Sequence, residues 1–286
     1  MDRGARARER RLSLAVERFR DEAFIQSRAR EELLRRLEPV QIKPTHILDI
    51  GGGPGFSARA LADRYRKATV TLVDSSPSML RAACKARGWW RGFDCVQADA
   101  AALPVTDSSV DLVFAGFLLP YLADPTAFFE QVRRVLKPRG YFVFSTVGAL
   151  TLSELRMAFS EVDAVPHVAD FTDFHDVGDA LTRAGFVAPV LDADRLTVTY
   201  ASLADLCRDL RAAGAGSSFQ GRSTLTGRHR WQAATSAFEA LRNDEGRIPV
   251  TCELVYGQAW CPDGDSDRQS ATSGEVVVPL SQLKRR

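Results

Sequence analysis

Five short apolar runs, rich in β-branched and aromatic residues, recur along the first half of the chain at Ile47–Ile50, Ala68–Asp74, Phe93–Ala100, Val110–Gly116 and Gly140–Thr146. Their length and composition read as buried strands. Between them, Phe56–Tyr65, Pro77–Arg87 and Pro125–Leu136 read as helices, and Leu136-Lys137-Pro138-Arg139-Gly140 reads as a turn. Strands alternating with helices predict an α/β fold built on a doubly wound, mostly parallel sheet. Upstream, Leu12, Val16, Phe19, Ala23, Ile25, Leu33, Leu34 and Leu37 stand among alternating charges at helical spacing, and Pro39 and Pro44 close that segment.

After residue 146 the rhythm breaks. Leu150–Val162 and Val177–Ala184 read as helices, the second ending at Gly185, and Val187–Tyr200 contains a strand. His175 and Asp176 read as a helix start, where an acid favours the N-terminal dipole. Ser202–Ala213 and Arg230–Arg242 are amphipathic, joined by a Gly/Ser-rich loop at 214–227, and Val250–Trp260 reads as a last strand, antiparallel to the rest. The expected organisation is an N-terminal helical segment (1–39), an α/β core (40–200), a helical cap inserted between strands (201–247), a last core strand (248–261) and a polar, disordered tail (262–286).

Ile47-Leu48-Asp49-Ile50 runs directly into Gly51-Gly52-Gly53-Pro54-Gly55, a D-x-G-x-G-x-G pattern that puts a glycine turn at the carboxyl end of a buried strand. Ligands bind at such strand ends in open α/β sheets. Without Cβ atoms at 51, 53 and 55 the backbone reaches positive φ and approaches a ligand closely. Position 56 is Phe, so the pattern is not the dinucleotide fingerprint. Two more strands end in acids, Asp74 and Asp99. Singly, each suits a solvated strand end or a helix cap; three at successive strand ends suit a nucleoside, with Asp74 accepting from both ribose hydroxyls.

The chain has 286 residues and a formal net charge of +2, which excludes a strongly polyanion-binding composition and predicts no nucleic-acid partner. No apolar run approaches the roughly 18 residues of a membrane span. Five cysteines without C-x-x-C spacing read as reduced core thiols, and no metal site is expected. Met1–Arg11 is Arg-rich without a following apolar core, which argues for a cytoplasmic protein; acids at Asp2, Glu9 and Glu17 weigh against an organelle-targeting reading.

The glycine pattern resembles motif I of class I S-adenosylmethionine (SAM)-dependent methyltransferases. The resemblance implies a Rossmann-like fold, SAM as cofactor, and a meeting of Asp99 with the adenine amino group. Asp49, Gly51, Gly53, Gly55, Asp74, Ser75, Asp99 and Ala100 form the expected cofactor set.

Beyond residue 150 the resemblance narrows. Thr151-Leu152-Ser153-Glu154-Leu155-Arg156, Pro166-His167-Val168, Phe171–Leu181, Arg183-Ala184-Gly185-Phe186, Thr197–Tyr200, Gly221-Arg222, Leu225–Arg228 and Tyr256-Gly257 resemble the biotin-pathway malonyl-(acyl carrier protein) O-methyltransferases, over about residues 12–260. That implies a carrier protein bearing a malonyl group as partner and its free carboxylate as methyl acceptor. A carboxylate with a reference pKa of about 4 is already ionised at neutral pH, so no general base is required. Positioning carries the reaction, and a nearby Arg suits bidentate capture of the carboxylate. Tyr121, Arg156, His167 and Arg222 are the candidate acceptor contacts; Arg156 reads equally as a helix-surface charge, His167 as a structural hydrogen-bonding group and Arg222 as a residue that orders its loop. Trp89 and Trp90 read as packing.

The chain departs from the family pattern at Gly52 (usually Cys), at Phe19-Arg20 (commonly Tyr-Asp) and at Pro120-Tyr121 (usually Gln-Trp). The last two border the expected methyl-transfer pocket. The competing readings are a divergent paralogue acting on another carboxylate, and a protein-arginine hydroxylase or binding protein of the assembly-factor type.

Overall fold

The computed structural model describes residues 24–87, 92–212 and 227–263. Phe19-Arg20, Trp89-Trp90, Arg222 and the tail from 264 lie outside them.

Seven strands form one sheet in the order β3-β2-β1-β4-β5-β7-β6. They are β1 (His46–Ile50), β2 (Thr69–Asp74), β3 (Asp94–Gln97), β4 (Val110–Gly116), β5 (Leu136–Val147), β6 (Val187–Tyr200) and β7 (Ile248–Trp260). The first five pair in parallel, and β7 runs antiparallel between β5 and β6. The central strands are almost wholly buried, which is why they read as continuous apolar runs. β6 is the edge, with exposure that alternates along its 14 residues except at Asp192-Ala193, which are both exposed.

The helices are α1 (Phe24–Arg36), α2 (Phe56–Arg64), α3 (Pro77–Ala86), α4 (Pro125–Val135), α5 (Ser153–Ser160), α6 (Phe174–Arg183), α7 (Leu203–Ala212) and α8 (Arg228–Glu239). One sheet face packs on α1, α2 and α3 through Leu33, Leu61 and Ala83. The other packs on α4 and α6 through Phe128, Phe129, Val132 and Leu181. Helix starts follow local chemistry. Ser76 and Asp124 cap α3 and α4 with Pro at the first helical position, and Asp173 caps α6 by accepting from the His175 amide at 2.8 Å. α6 begins at Phe174, one residue before the His175-Asp176 start read from the sequence. Gly185 ends it at φ +85°.

Two expectations change. Residues 136–140 belong to β5; Arg139 takes φ +61°, and a register shift between Val110 and Leu112 absorbs the irregularity. The helical unit beyond the sheet also includes α5, since Leu155, Ala158 and Phe159 share a core with Leu203, Leu206, Ala234 and Phe238. Among the described residues no helix is long and apolar enough to cross a membrane.

Candidate active site

A cavity of about 310 Å³ opens at the carboxyl ends of β1, β2 and β4. Its floor is the turn after β1. Gly51 and Gly53 have φ of +70° and +53°, and the Gly51 amide is tied to the Val73 carbonyl at 2.7 Å. A Cβ on Gly53 would meet nothing nearer than Met79 Sδ at 4.0 Å, so the space above that residue is open to a ligand.

Asp74, Ser75, Asp99 and Ala100 line one side of the cavity. Asp74 Oδ2 accepts from the Gly53 amide at 3.0 Å and Oδ1 from the Ser76 amide at 2.8 Å. A carboxylate offers about four acceptor sites, which suits it to vicinal hydroxyls. Asp99 Oδ1 accepts from the Ala101 amide at 2.9 Å. Phe117, Leu118 and Tyr121 form the opposite wall, carried by β4 and the short 3-10 turn Leu119–Tyr121. The arrangement offers hydroxyl acceptors on one side, a close-approach backbone floor and an apolar wall, which suits a nucleoside bearing a small reacting group.

Two expected cofactor residues stand behind the lining. Gly55 faces inward at φ +88°, where an added Cβ would lie 2.5 Å from Phe93 Cζ. Asp49 is fully buried beneath the turn and accepts from Ser57 Oγ at 2.6 Å. At Gly52 a Cβ would lie 2.5 Å from Asp49 Oδ2 and 2.8 Å from Leu72, so a side chain there requires those groups to shift.

Of the acceptor candidates, Tyr121 lines the cavity, whereas Arg156 and His167 do not. Arg156 reaches the carbonyls of Ala169 at 3.1 Å and Ala149 at 3.4 Å, tying α5 to the segments around it. The His167 side chain is 2 % exposed, sits 2.8 Å from Asp163 Oδ1 and stacks on Phe159 at 4.0 Å between ring centroids. Both belong to the packing of the α5–α8 unit. Arg156→Ala is accordingly expected to destabilise the fold by roughly 1–3 kcal/mol, through carbonyls left without a donor, and to leave the KM for the acceptor unchanged. Thermal melts and steady-state kinetics on the same preparation check this.

The sequence reading missed Gln26 and Arg30 of α1, which line the cavity above the turn. Arg30 lies over the Phe56 ring at 5.1 Å, and burial, offset in part by Glu31 and Asp49, lowers its pKa. It is the one Lys, Arg or His among the described lining residues. A readable signal existed: Gln26, Ala29, Arg30, Leu33 and Leu37 share one helix face, and polar residues interrupt an otherwise apolar stripe at 26 and 30.

The methyltransferase-domain family model matches residues 48–144, which hold the glycine turn and the carboxyl ends of β2 and β4. Among solved structures, the YcgJ protein of Bacillus subtilis superposes with a TM-score of 0.59 at 17% identity, covering 83% of this chain and 100% of that one. A phosphoethanolamine N-methyltransferase of Haemonchus contortus solved with S-adenosyl-L-methionine gives 0.52 at 18%, covering 82% and 52%. These likenesses show the fold. Sequence relatives go further. A malonyl-(acyl-carrier protein) O-methyltransferase of Halorhodospira halophila is 41% identical across 97% of this chain and 94% of its own length. One from Xylella fastidiosa is 37% identical across 96% and 94%. With a SAM-type cavity at the strand ends and near-complete coverage at this identity, the chain belongs to the malonyl-(acyl-carrier protein) O-methyltransferase family of SAM-dependent methyltransferases.

Proposed function

We propose that this enzyme transfers the SAM methyl group to the free carboxylate of a malonyl thioester borne by an acyl carrier protein, the esterification that family membership assigns to biotin biosynthesis. Identity to enzymes of that name over nearly the whole chain carries the reading. Gly51, Gly53, Asp74, Ser75, Asp99 and Ala100 hold the cofactor in it. When bound, SAM supplies an electrophilic methyl on a sulfonium. The chain's own task is to bring an anionic oxygen to roughly 3–3.5 Å from that carbon, in line with the leaving sulfur, and to exclude water. Phe117, Leu118 and Tyr121 supply the dry wall. Arg30 receives a carboxylate, belonging either to the donor's amino-acid moiety or to the acceptor.

The carrier reading draws on charge. Acyl carrier proteins are acidic, and Arg211 on α7 and Arg228 and Arg230 on α8 are exposed. Reversing Arg211 and Arg228 to Glu is expected to raise the KM for carrier-bound substrate by about tenfold at low ionic strength, with a smaller effect at high salt, and to leave SAM affinity unchanged. Initial rates on carrier-bound and free malonyl thioester across a salt series test this. Equal use of the two thioesters, insensitive to the reversals, removes the carrier from the reading.

A further inference from the structure

Asp49 is a buried acid that methyl transfer to a carboxylate leaves without a task. Side chains alternate along β1, so Leu48 and Ile50 enter the core on the α4 side while Asp49 faces α1 and α2. It is fully buried. Oδ2 holds the Ser57 hydroxyl at 2.6 Å, and Oδ1 has no hydrogen-bond partner among the described residues. Gly52, in the floor of the cofactor cavity, lies directly over it. The charged groups that act on it are Asp74 from β2 and Arg30 from α1; α2 presents Ser57 and the Ala58 amide. Its register partners on β2 and β4 are Leu72 and Phe114, which carry no charge.

An anion in that place is poorly solvated. Burial, aided by Asp74 and opposed by Ser57, Ala58 and Arg30, raises the Asp49 carboxyl to about 7. Burial with one oxygen unpartnered therefore favours the neutral acid in the empty protein. A cation docked on the turn reverses the balance, because an opposite charge nearby favours the ionised form.

We propose that Asp49 is a proton-linked counter-charge beneath the glycine turn, neutral in the empty site and ionised when a sulfonium donor is bound, and that it favours the cationic donor over the neutral thioether product. The inference rests on the cavity's being the SAM site. The step balances: the neutral carboxyl gives one proton to solvent as the sulfonium binds, and takes one back when the thioether that remains after transfer no longer offsets the anion. Linkage is reciprocal, so the cation stabilises the carboxylate by as much as the carboxylate stabilises the cation. The sign follows. The donor-bound state holds fewer protons than the empty one below about pH 7, so SAM affinity rises with pH up to there and levels off above it. S-adenosylhomocysteine, which keeps the amino-acid ammonium and carboxylate but carries no sulfonium charge, shows a smaller rise.

Titration calorimetry of the full chain with SAM and with S-adenosylhomocysteine, each in two buffers of different ionisation enthalpy, tests the proposal. At about pH 6 SAM should release an appreciable fraction of a proton and the thioether distinctly less. Asp49→Asn should abolish the release and narrow the preference for SAM over the thioether by roughly tenfold for each pH unit of linkage lost. Equal proton release by both ligands, or release that persists in Asp49→Asn, overturns it. Isotope-edited infrared spectroscopy of the wild type gives a second reading that needs no variant. A protonated aspartate band at about pH 6 should vanish with SAM and persist with the thioether; its absence from the empty protein contradicts the proposal. Failure of both ligands to bind is a different outcome, which overturns the cofactor site itself and the proposal with it.

Discussion

Gly53→Val is expected to abolish SAM binding while the protein stays folded. A Cβ there meets no atom beyond its chain neighbours nearer than Met79 Sδ at 4.0 Å, so the added side chain enters the cavity instead of the core. Its backbone cost is that of one residue in the left-handed region, roughly 1–2 kcal/mol, somewhat more for a β-branched side chain. Affinity should fall on the order of a hundredfold or more, equivalent to about 3 kcal/mol or more of lost binding. Neighbouring glycines behave differently. Gly52→Val drives into Asp49 and Leu72, and Gly55→Val into Phe93 and Ala83, so both should lower the melting temperature sharply. Calorimetry beside circular dichroism separates the outcomes. Undiminished SAM affinity in a folded Gly53→Val protein removes the turn from the site.

A malonyl substrate whose free carboxylate is masked as an ester should not turn over at all, since the nucleophile itself is gone. At saturating SAM the single-turnover rate on the unmasked substrate should show no essential base titrating between about pH 6 and 8, because the carboxylate is ionised well below that range. Transfer to an amine or hydroxyl would show one. Arg30→Gln supplies the matching residue test. Losing a charge-assisted hydrogen bond costs roughly 1.5–3 kcal/mol, so one KM should rise by about tenfold or more. A rise for SAM assigns Arg30 to the donor's amino-acid carboxylate, and a rise for the malonyl thioester assigns it to the acceptor. No rise in either removes Arg30 from the site.

The sheet was legible because its inner strands are buried on both faces and read as unbroken apolar runs. Edge strand β6 was legible too, over the same Val187–Tyr200, because its largely alternating exposure leaves one face apolar. The glycine turn was legible as one unit, but its division of labour was not. Gly51 and Gly53 line the cavity, whereas Gly52 packs on Asp49 and Gly55 on Phe93, and those neighbours come from tertiary contacts that spacing does not encode. Arg156 and His167 lie outside the cavity, where they bond and stack within the α5–α8 unit, and a resemblance in sequence does not separate such contacts from contacts to a ligand. Arg30 escaped because a charge on an amphipathic helix reads as solvated until the cavity beside it is known.

The central claim is the chemical identity of the methylated group. Incubation with methyl-labelled SAM and malonyl-loaded acyl carrier protein, followed by mild alkali, tests it most directly. Label is expected on the carrier-bound acyl group, released as methanol by base, with none on carrier bearing a chain without a free carboxylate. Label that resists base, label on a substrate lacking the carboxylate, or oxygen-dependent arginine hydroxylation without methyl transfer would contradict it.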